Sequence, residues 1–415
     1  MLLADDMGGR DLGCYGQRDV STPVLDALAA SGALFERAYT AVGVCQPSRS
    51  SVYTGLYPTR HGALGFGPIR TDVATWPELL NARGVATAMI GKLDVDPLEK
   101  FPFETLVKAN EMSSRRDAAV WDGHLREFLN RAGQRPFAAV LALVDPHRPF
   151  DEDDAPRVTD PARIAVPPSL WDTPGTRREL ARYYDCIARL DATVGRLLAT
   201  LRDFGHGDDT LVVFTADNGP SFPFAKSTLY EAGVRMPLVV SGPGVVRGPR
   251  RELVGLVDLL PTALELFGAP AVPCDGGSLL PLLHGESITP RSSIVTMQTD
   301  NNREQSRPAR ALHGERFKYI RNFGPDMATV SNVVGHTETW ESGKELARVD
   351  AATAGRMRSY LYRPQEELYD LERDPLELVE LSGNDEFASV RERMRDELRA
   401  WMGSHQDPLL AEWNA

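Results

Sequence analysis

Over its first 267 residues the chain repeats one pattern: a short apolar run, a polar stop, then an amphipathic stretch at helical period. Apolar runs without alternation suit strands buried on both faces, and the helical stretches between them suit crossover connections. The pattern therefore predicts an α/β fold, a large, mostly parallel sheet flanked by helices. Candidate strands are Leu2 to Ala4, Ala33 to Tyr39, Val85 to Ile90, Phe137 to Val144, Thr210 to Thr215 and Pro237 to Val240. Helical patterns fall at Pro23 to Ala30, Trp76 to Arg83, Asp117 to Ala132 and Arg177 to Phe204. The last carries Leu180, Tyr184, Ile187, Leu190, Val194, Leu197 and Leu201 on one stripe, the spacing of a helix facing a core.

After a helix at Asp258 to Phe267 and a turn at Leu279 to Leu283 the pattern changes. "SSIVTMQTD", "RALHGERFKYIRNF" and "EELYDL" read as strands of an antiparallel sheet, and Phe387 to Met402 as a closing helix. This predicts a catalytic domain over 1–290 and a smaller C-terminal antiparallel-sheet plus helix subdomain over 291–415. Asp151 to Pro174, rich in Pro and Asp, and Gly324 to Arg358 read as long surface excursions beside a binding site.

Charge narrows the partners. The chain has 46 basic and 58 acidic side chains, a net of −12, so its surface repels polyanions and nucleic acid is not expected as a partner. An anionic ligand must be held by a local cationic cluster. Cys14, Cys45, Cys186 and Cys274 are scattered, without the paired spacing of a zinc site or a disulfide framework. No apolar run is long enough to span a membrane, and Met1 to Ala4 ahead of two carboxylates is no signal peptide. As given, the chain reads as cytoplasmic; a leader ahead of Met1 would make it periplasmic or secreted.

Ligands of an open parallel sheet bind outside the carboxyl ends of its strands. Asp5-Asp6, Lys92, "DPHRP" (145–149) and Asp217-Asn218-Gly219 each follow a candidate strand, so all four converge on one edge. Singly, an Asp pair or "DNG" is first a turn or cap, and a lysine at a rim is first a solvated one. Together, three carboxylates and an amide oxygen make a hard, oxygen-only site that selects Ca²⁺ or Mg²⁺. Arg49, Lys92, His147 and Lys226 add positive charge suited to a sulfate or phosphate group. In "GVCQPSRSSVYTG" (43–55), Pro47 suits a first helical turn and Thr54-Gly55 an end. Cys45 would then face free N–H groups and Arg49, surroundings that favour a thiolate or a bound anion, unless it is simply a buried cysteine. The Cys-x3-Arg spacing is too short for the Cys-x5-Arg loop of thiol phosphatases.

"LLADDMGGRDLGCYG", "CQPSRSSVYTG", "GK" at 91–92, "DPHRP" and "TADNG" resemble, in order and spacing, the motifs of type I sulfatases of the alkaline phosphatase superfamily. The resemblance covers nearly the whole chain. It implies that a cysteine-modifying enzyme reads Cys45, Pro47 and Arg49 and converts the thiol to formylglycine. It implies Ca²⁺ bound by Asp5, Asp6, Asp217 and Asn218 with the modified residue 45. Arg49 and Lys92 would steady the hydrated aldehyde and the sulfate, while His147 and Lys226 would bind sulfate and protonate the leaving group. One hydroxyl of the hydrate, helped by Asp217, attacks sulfur; elimination of sulfate restores the aldehyde.

"DNGPSFPFAKSTLYEAG", "ELYDLERDPLE" and "RDELRAWMGSHQDP" resemble the sulfamidase branch of that family, implying N-sulfated glucosamine of heparan-type glycans as substrate. Two positions depart from the pattern. Lys226 stands where that branch has arginine, a change in substrate geometry. Asp94 stands where sulfatases carry a histidine, the base of the elimination step; a carboxylate accepts a proton but repels the bound anion, so slow turnover is expected. The competing readings are a phosphonate or phosphodiester hydrolase of the same superfamily, and a sulfated-glycan binding protein impaired in turnover by Asp94. Arg303, Arg307 and His336 are the candidates for sugar contact.

Overall fold

The computed structural model describes residues 1–150, 158–299, 308–323 and 334–414. The larger sheet has nine strands: β1 (Leu2–Ala4), β2 (Ala33–Tyr39), β3 (Ala86–Gly91), β4 (Thr105–Lys108), β5 (Phe137–Ala142), β6 (Val212–Ala216), β7 (Arg235–Ser241), β8 (Gly248–Arg250) and β9 (Val254–Gly255). Their order is β4-β3-β5-β1-β6-β7-β2-β8, with β9 also on β2. Pairing from β4 through β6 is parallel, as expected. β7 instead runs antiparallel to both β6 and β2. Between β6 and β7 the only helix is the single turn Glu231–Val234, too little for the crossover that a parallel neighbour requires. Three short strands, β4, β8 and β9, gave no sequence signal because two to four residues carry no readable periodicity.

β1 is the centre of this arrangement. It lies between β5 and β6, its Leu2, Leu3 and Ala4 wholly or nearly buried, so its carboxyl end opens between the ends of its two neighbours. Helix Pro174–Asp203 covers one face, with Thr173 accepting from the Thr176 N–H as its cap and Pro174 at its first position. Leu180, Tyr184, Ile187, Leu190, Val194 and Leu197 are buried along it as the stripe required, and Leu201 is half-buried.

The second sheet, β10 (Ile294–Gln298), β11 (Ala309–His313), β12 (Phe317–Asn322) and β13 (Glu366–Asp370), is antiparallel throughout, with helix Ala388–Ser404 packed on β11 and β12. Val295, Met297, Leu312, Tyr319, Leu368, Met394 and Leu398 share one apolar cluster with Ala41, Val42, Val44 and Cys45, and Val42 pairs directly with Met297. The second sheet thus backs the segment that delivers Cys45.

The stretch read as an excursion over 324–358 is ordered differently where it is described: it holds helices Glu338–Leu346 and Ala351–Leu361, capped by Thr337 and Asp350. Their apolar residues are few, and Trp340, Met357 and Tyr360 enter a buried cluster built on the Trp171–Trp340 contact, with Tyr360 against Trp340 and Phe224. That contact is distant in sequence and invisible to local periodicity. Within 151–174, a single 3₁₀ turn lies at Pro161–Arg163, and 151–157 fall outside the described residues.

Candidate active site

Helix Cys45–Thr54 begins at Cys45, with Pro47 in the first turn, where its missing N–H removes no intrahelical bond. It ends at Gly55, whose φ of 65° is the left-handed conformation that glycine adopts freely. Every residue of this helix is buried, and two of its hydroxyls bond back within it: Ser51 and Thr54 donate to the carbonyls of Pro47 and Ser50. Ser48 Oγ donates to the Asp217 carbonyl at 2.6 Å, which ties the helix to the end of β6.

The strand ends meet as the convergence argument requires. Asp5 and Asp6 follow β1, Lys92 follows β3, His147 follows β5, and Asp217 and Asn218 follow β6. Lys226 arrives from the β6–β7 connection and Arg49 from the Cys45 helix. Arg49, fully buried, donates from Nε to Asp217 Oδ2 at 2.8 Å and from Nη1 to the Lys92 carbonyl; its Nη2 lies 3.4 Å from Asp5 Oδ1. Lys92 Nζ is 2.8 Å from Asp5 Oδ2, and Lys226 Nζ is 2.5 Å from Asp6 Oδ1. His147 Nε2 stands 3.6 Å from Asp6 Oδ2, and Asn218 Nδ2 donates to Asp6 Oδ1 at 2.8 Å. Asp94 is 3.7 Å from Lys92 Nζ. All the residues expected at the site are thereby in one basin. Of the three candidates for sugar contact, Arg303 and Arg307 lie outside the described residues, and His336 is exposed just ahead of helix Glu338–Leu346.

Backbone strain collects here. Asp6, Asp94, Phe224 and Ser227 have φ of 62°, 48°, 61° and 62°, four of the six non-glycine residues with positive φ among the described residues. Such conformations persist only where surrounding structure enforces them, and they concentrate at functional sites.

Charge in the basin is tightly paired. Burial alone would raise the Asp5 and Asp6 carboxyls, but Lys92 and Arg49 beside Asp5, and Lys226 and His147 beside Asp6, hold both below the carboxylate range. Asp217 goes the other way: burial pushes it up to about 7 against the pull of Arg49, with Asp5 adding repulsion. Of the alternatives open at Cys45, the structure favours the buried cysteine over the thiolate. Burial pushes its thiol up to about 12 against the pull of Lys226 and Lys92, so the unmodified side chain is no thiolate.

Three further residues complete the site. Ser221 Oγ donates to Asp6 Oδ2 at 2.7 Å. Arg148 donates to Glu179 at 2.7 Å and lies over the rings of Phe150 and Phe222, which binds the loop after β5 to the loop after β6. Arg116 grips the loop carrying His147 from outside every motif. Ser221 sits three residues past Asn218 and was within reach of sequence reasoning; nothing in the residues around Arg116 marks it.

The donor set suits a hard divalent cation. Asp5, Asp6 and Asp217 are 1% exposed or less, and Asn218 Oδ1 is a buried oxygen with no hydrogen-bond partner among the described residues. A buried amide oxygen left unpaired is costly unless something occupies its lone pairs, and a cation does so.

A mixed α/β sheet carrying such a basin at its carboxyl edge is the architecture of the alkaline phosphatase-like hydrolases. The family model for sulfatases matches residues 1–269, and the chain belongs to the sulfatase family. It is 33% identical to human N-sulphoglucosamine sulphohydrolase over 98% of this chain and 90% of that protein. Among solved structures it resembles a protein in complex with its substrate D-glucosamine-2-N,6-O-disulfate, with a TM-score of 0.74, 19% identity, and 98% of each chain covered. It also resembles the phosphonate monoester hydrolase of Agrobacterium radiobacter, with a TM-score of 0.71, 20% identity, and 97% and 95% of the two chains covered. The relationship implied by the sequence motifs is thus established, and the chain is an enzyme of the sulfatase class.

Proposed function

We propose that this sulfatase cleaves the sulfamate group of N-sulfated glucosamine in heparan-type glycans, after Cys45 has been converted to formylglycine and with Ca²⁺ in the basin. The observation that carries the reading is the position of residue 45: first in a buried helix, within the field of Lys92 and Lys226, at the edge where Asp5, Asp6, Asp217 and Asn218 meet. Identity to the human N-sulphoglucosamine sulphohydrolase along nearly the whole chain supports the choice of sulfamate.

In this reading Asp5, Asp6, Asp217 and Asn218 hold Ca²⁺, which when bound draws electron density from the sulfate oxygens. Residue 45, as the hydrate of formylglycine, would supply the hydroxyl that attacks sulfur, and Asp217 is placed to take its proton. Arg49 fixes Asp217 and keeps the carboxylates from repelling one another. With a cation neutralising Asp5 and Asp6, Lys92 and Lys226 would be available to bind the incoming oxyanion. His147, half-exposed at the mouth of the basin, delivers a proton to the departing nitrogen, which leaves as a neutral amine. Asp94 receives the proton released when sulfate is expelled from residue 45.

Sulfate release from N-sulfoglucosamine and from 6-O-sulfated glucosamine tests the proposal, with protein co-expressed with the cysteine-modifying enzyme and conversion at residue 45 verified by mass. Release from the N-sulfated sugar is expected. Release only from the 6-O-sulfated sugar would overturn the sulfamate assignment, and faster hydrolysis of phosphonate monoesters would overturn sulfate as the substrate class.

A further inference from the structure

The loop that presents His147 is anchored from within by Arg148, which donates to Glu179 and to the Ser221 carbonyl. His147 itself is half-exposed; its N–H donates to the Val144 carbonyl at 2.9 Å and its Nδ1 lies 2.5 Å from the Arg148 carbonyl. The loop is held from outside by Arg116, which precedes helix Ala118–Ala132 and is 4% exposed. Its Nη2 donates to the His147 carbonyl at 2.7 Å and its Nη1 to the Pro149 carbonyl at 2.8 Å. Its Nε lies 3.3 Å from Asp145 Oδ1. One planar guanidinium thus spans the loop from Asp145 to Pro149, a geometry that the single point charge of a lysine does not reproduce. Asp145 is held in turn by Arg189, whose Nε and Nη2 each donate to it at 2.7 Å, and its carbonyl accepts from the Asp5 N–H at 3.3 Å.

We propose that Arg116 is a positioning residue for the reaction: it fixes the backbone of His147 so that the imidazole stands beside Asp6. The inference rests on the reading that His147 acts on the substrate. Misplacing a reacting group by about 1 Å can cost on the order of 100-fold in rate, which sets the scale of the effect.

The test is a double-mutant cycle on the cysteine-converted enzyme. Arg116→Lys keeps the charge and loses the fork; kcat should fall about 10- to 100-fold with KM within about twofold. Guanidinium added at millimolar concentration should restore part of the activity of Arg116→Ala. In the His147→Ala background, Arg116→Ala should cost nothing further, because the residue it positions is gone. Wild-type kcat in Arg116→Lys, or losses that multiply in the double variant, would overturn the inference while leaving His147 in its role. Wild-type turnover in His147→Ala would overturn both. If Arg116→Ala does not fold, the Lys variant carries the same cycle; if the protein binds sulfate without releasing product, the dissociation constant for inorganic sulfate replaces kcat in it.

Discussion

Asp94 is the basin carboxylate outside the proposed cation ligands, so its charge opposes an anionic ligand, and replacing it by Asn measures that opposition. Its carboxylate lies 3.7 Å from Lys92 Nζ and is 27% exposed. An anion in contact with Lys92 would sit roughly 6 Å from Asp94, where two unit charges at an effective dielectric of about 20 repel by about 3 kcal/mol. Solvent at the partly exposed carboxylate reduces this to about 1 kcal/mol, a factor of about five in affinity. Asn, like Asp, tolerates the φ of 48° found here, so the backbone is not disturbed by the change. Calorimetry with inorganic sulfate reads the effect without any need for turnover. Asp94→Asn should bind sulfate about fivefold more tightly in dilute buffer, with a smaller gain at high ionic strength. Asp94→His, which also accepts positive φ, should raise kcat by supplying a base without the negative charge. Sulfate affinity in Asp94→Asn within twofold of the parent would refute the electrostatic argument, and unchanged kcat in Asp94→His would refute the role in sulfate expulsion.

Two further outcomes follow from buried charge. Glu377, raised to about 7 from 4.5 by burial, against Lys318 and with repulsion from Glu231, binds its proton more tightly folded than unfolded. Its contribution to stability is therefore full at and below about pH 4.5, is lost as pH rises to about 7, and amounts to about 3 kcal/mol. Glu377→Gln should flatten urea midpoints between pH 5 and pH 7 relative to the parent; an unchanged slope would refute it. Protein freed of divalent ions should gain about 2.7 kcal/mol of stability in Ca²⁺ at 100 times the dissociation constant, and Asp6→Asn should lose most of that gain. A melting temperature indifferent to Ca²⁺ in the parent would count against the cation site.

Much of the site was legible because the rule behind it is local. A strand end followed by Asp-Asp, Gly-Lys, Asp-Pro-His or Asp-Asn-Gly names both the residue and the edge on which it falls, and the central strands of a parallel sheet bring those edges together. β1, three residues long, was readable for the same reason: Leu2 to Ala4 is apolar on both faces and two carboxylates stop it. What was missed acts at a distance. The reversal of β7, the Trp171–Trp340 packing that makes helices of part of the presumed excursion, and the grip of Arg116 on the His147 loop each join segments with no common periodicity.

The thiol of Cys45 shows the division most clearly. Residue types and spacing alone determined that a helix starts there, that arginine lies four residues on, and that carboxylates and cations gather round it. Whether those neighbours make a thiolate depends on solvent, and only the folded chain decides that. The second sheet closes over Val42, Val44 and Cys45, and the cost of burying a charge there exceeds what Lys92 and Lys226 return. Composition sets which charges are available; tertiary packing sets the dielectric in which they act, and with it their protonation.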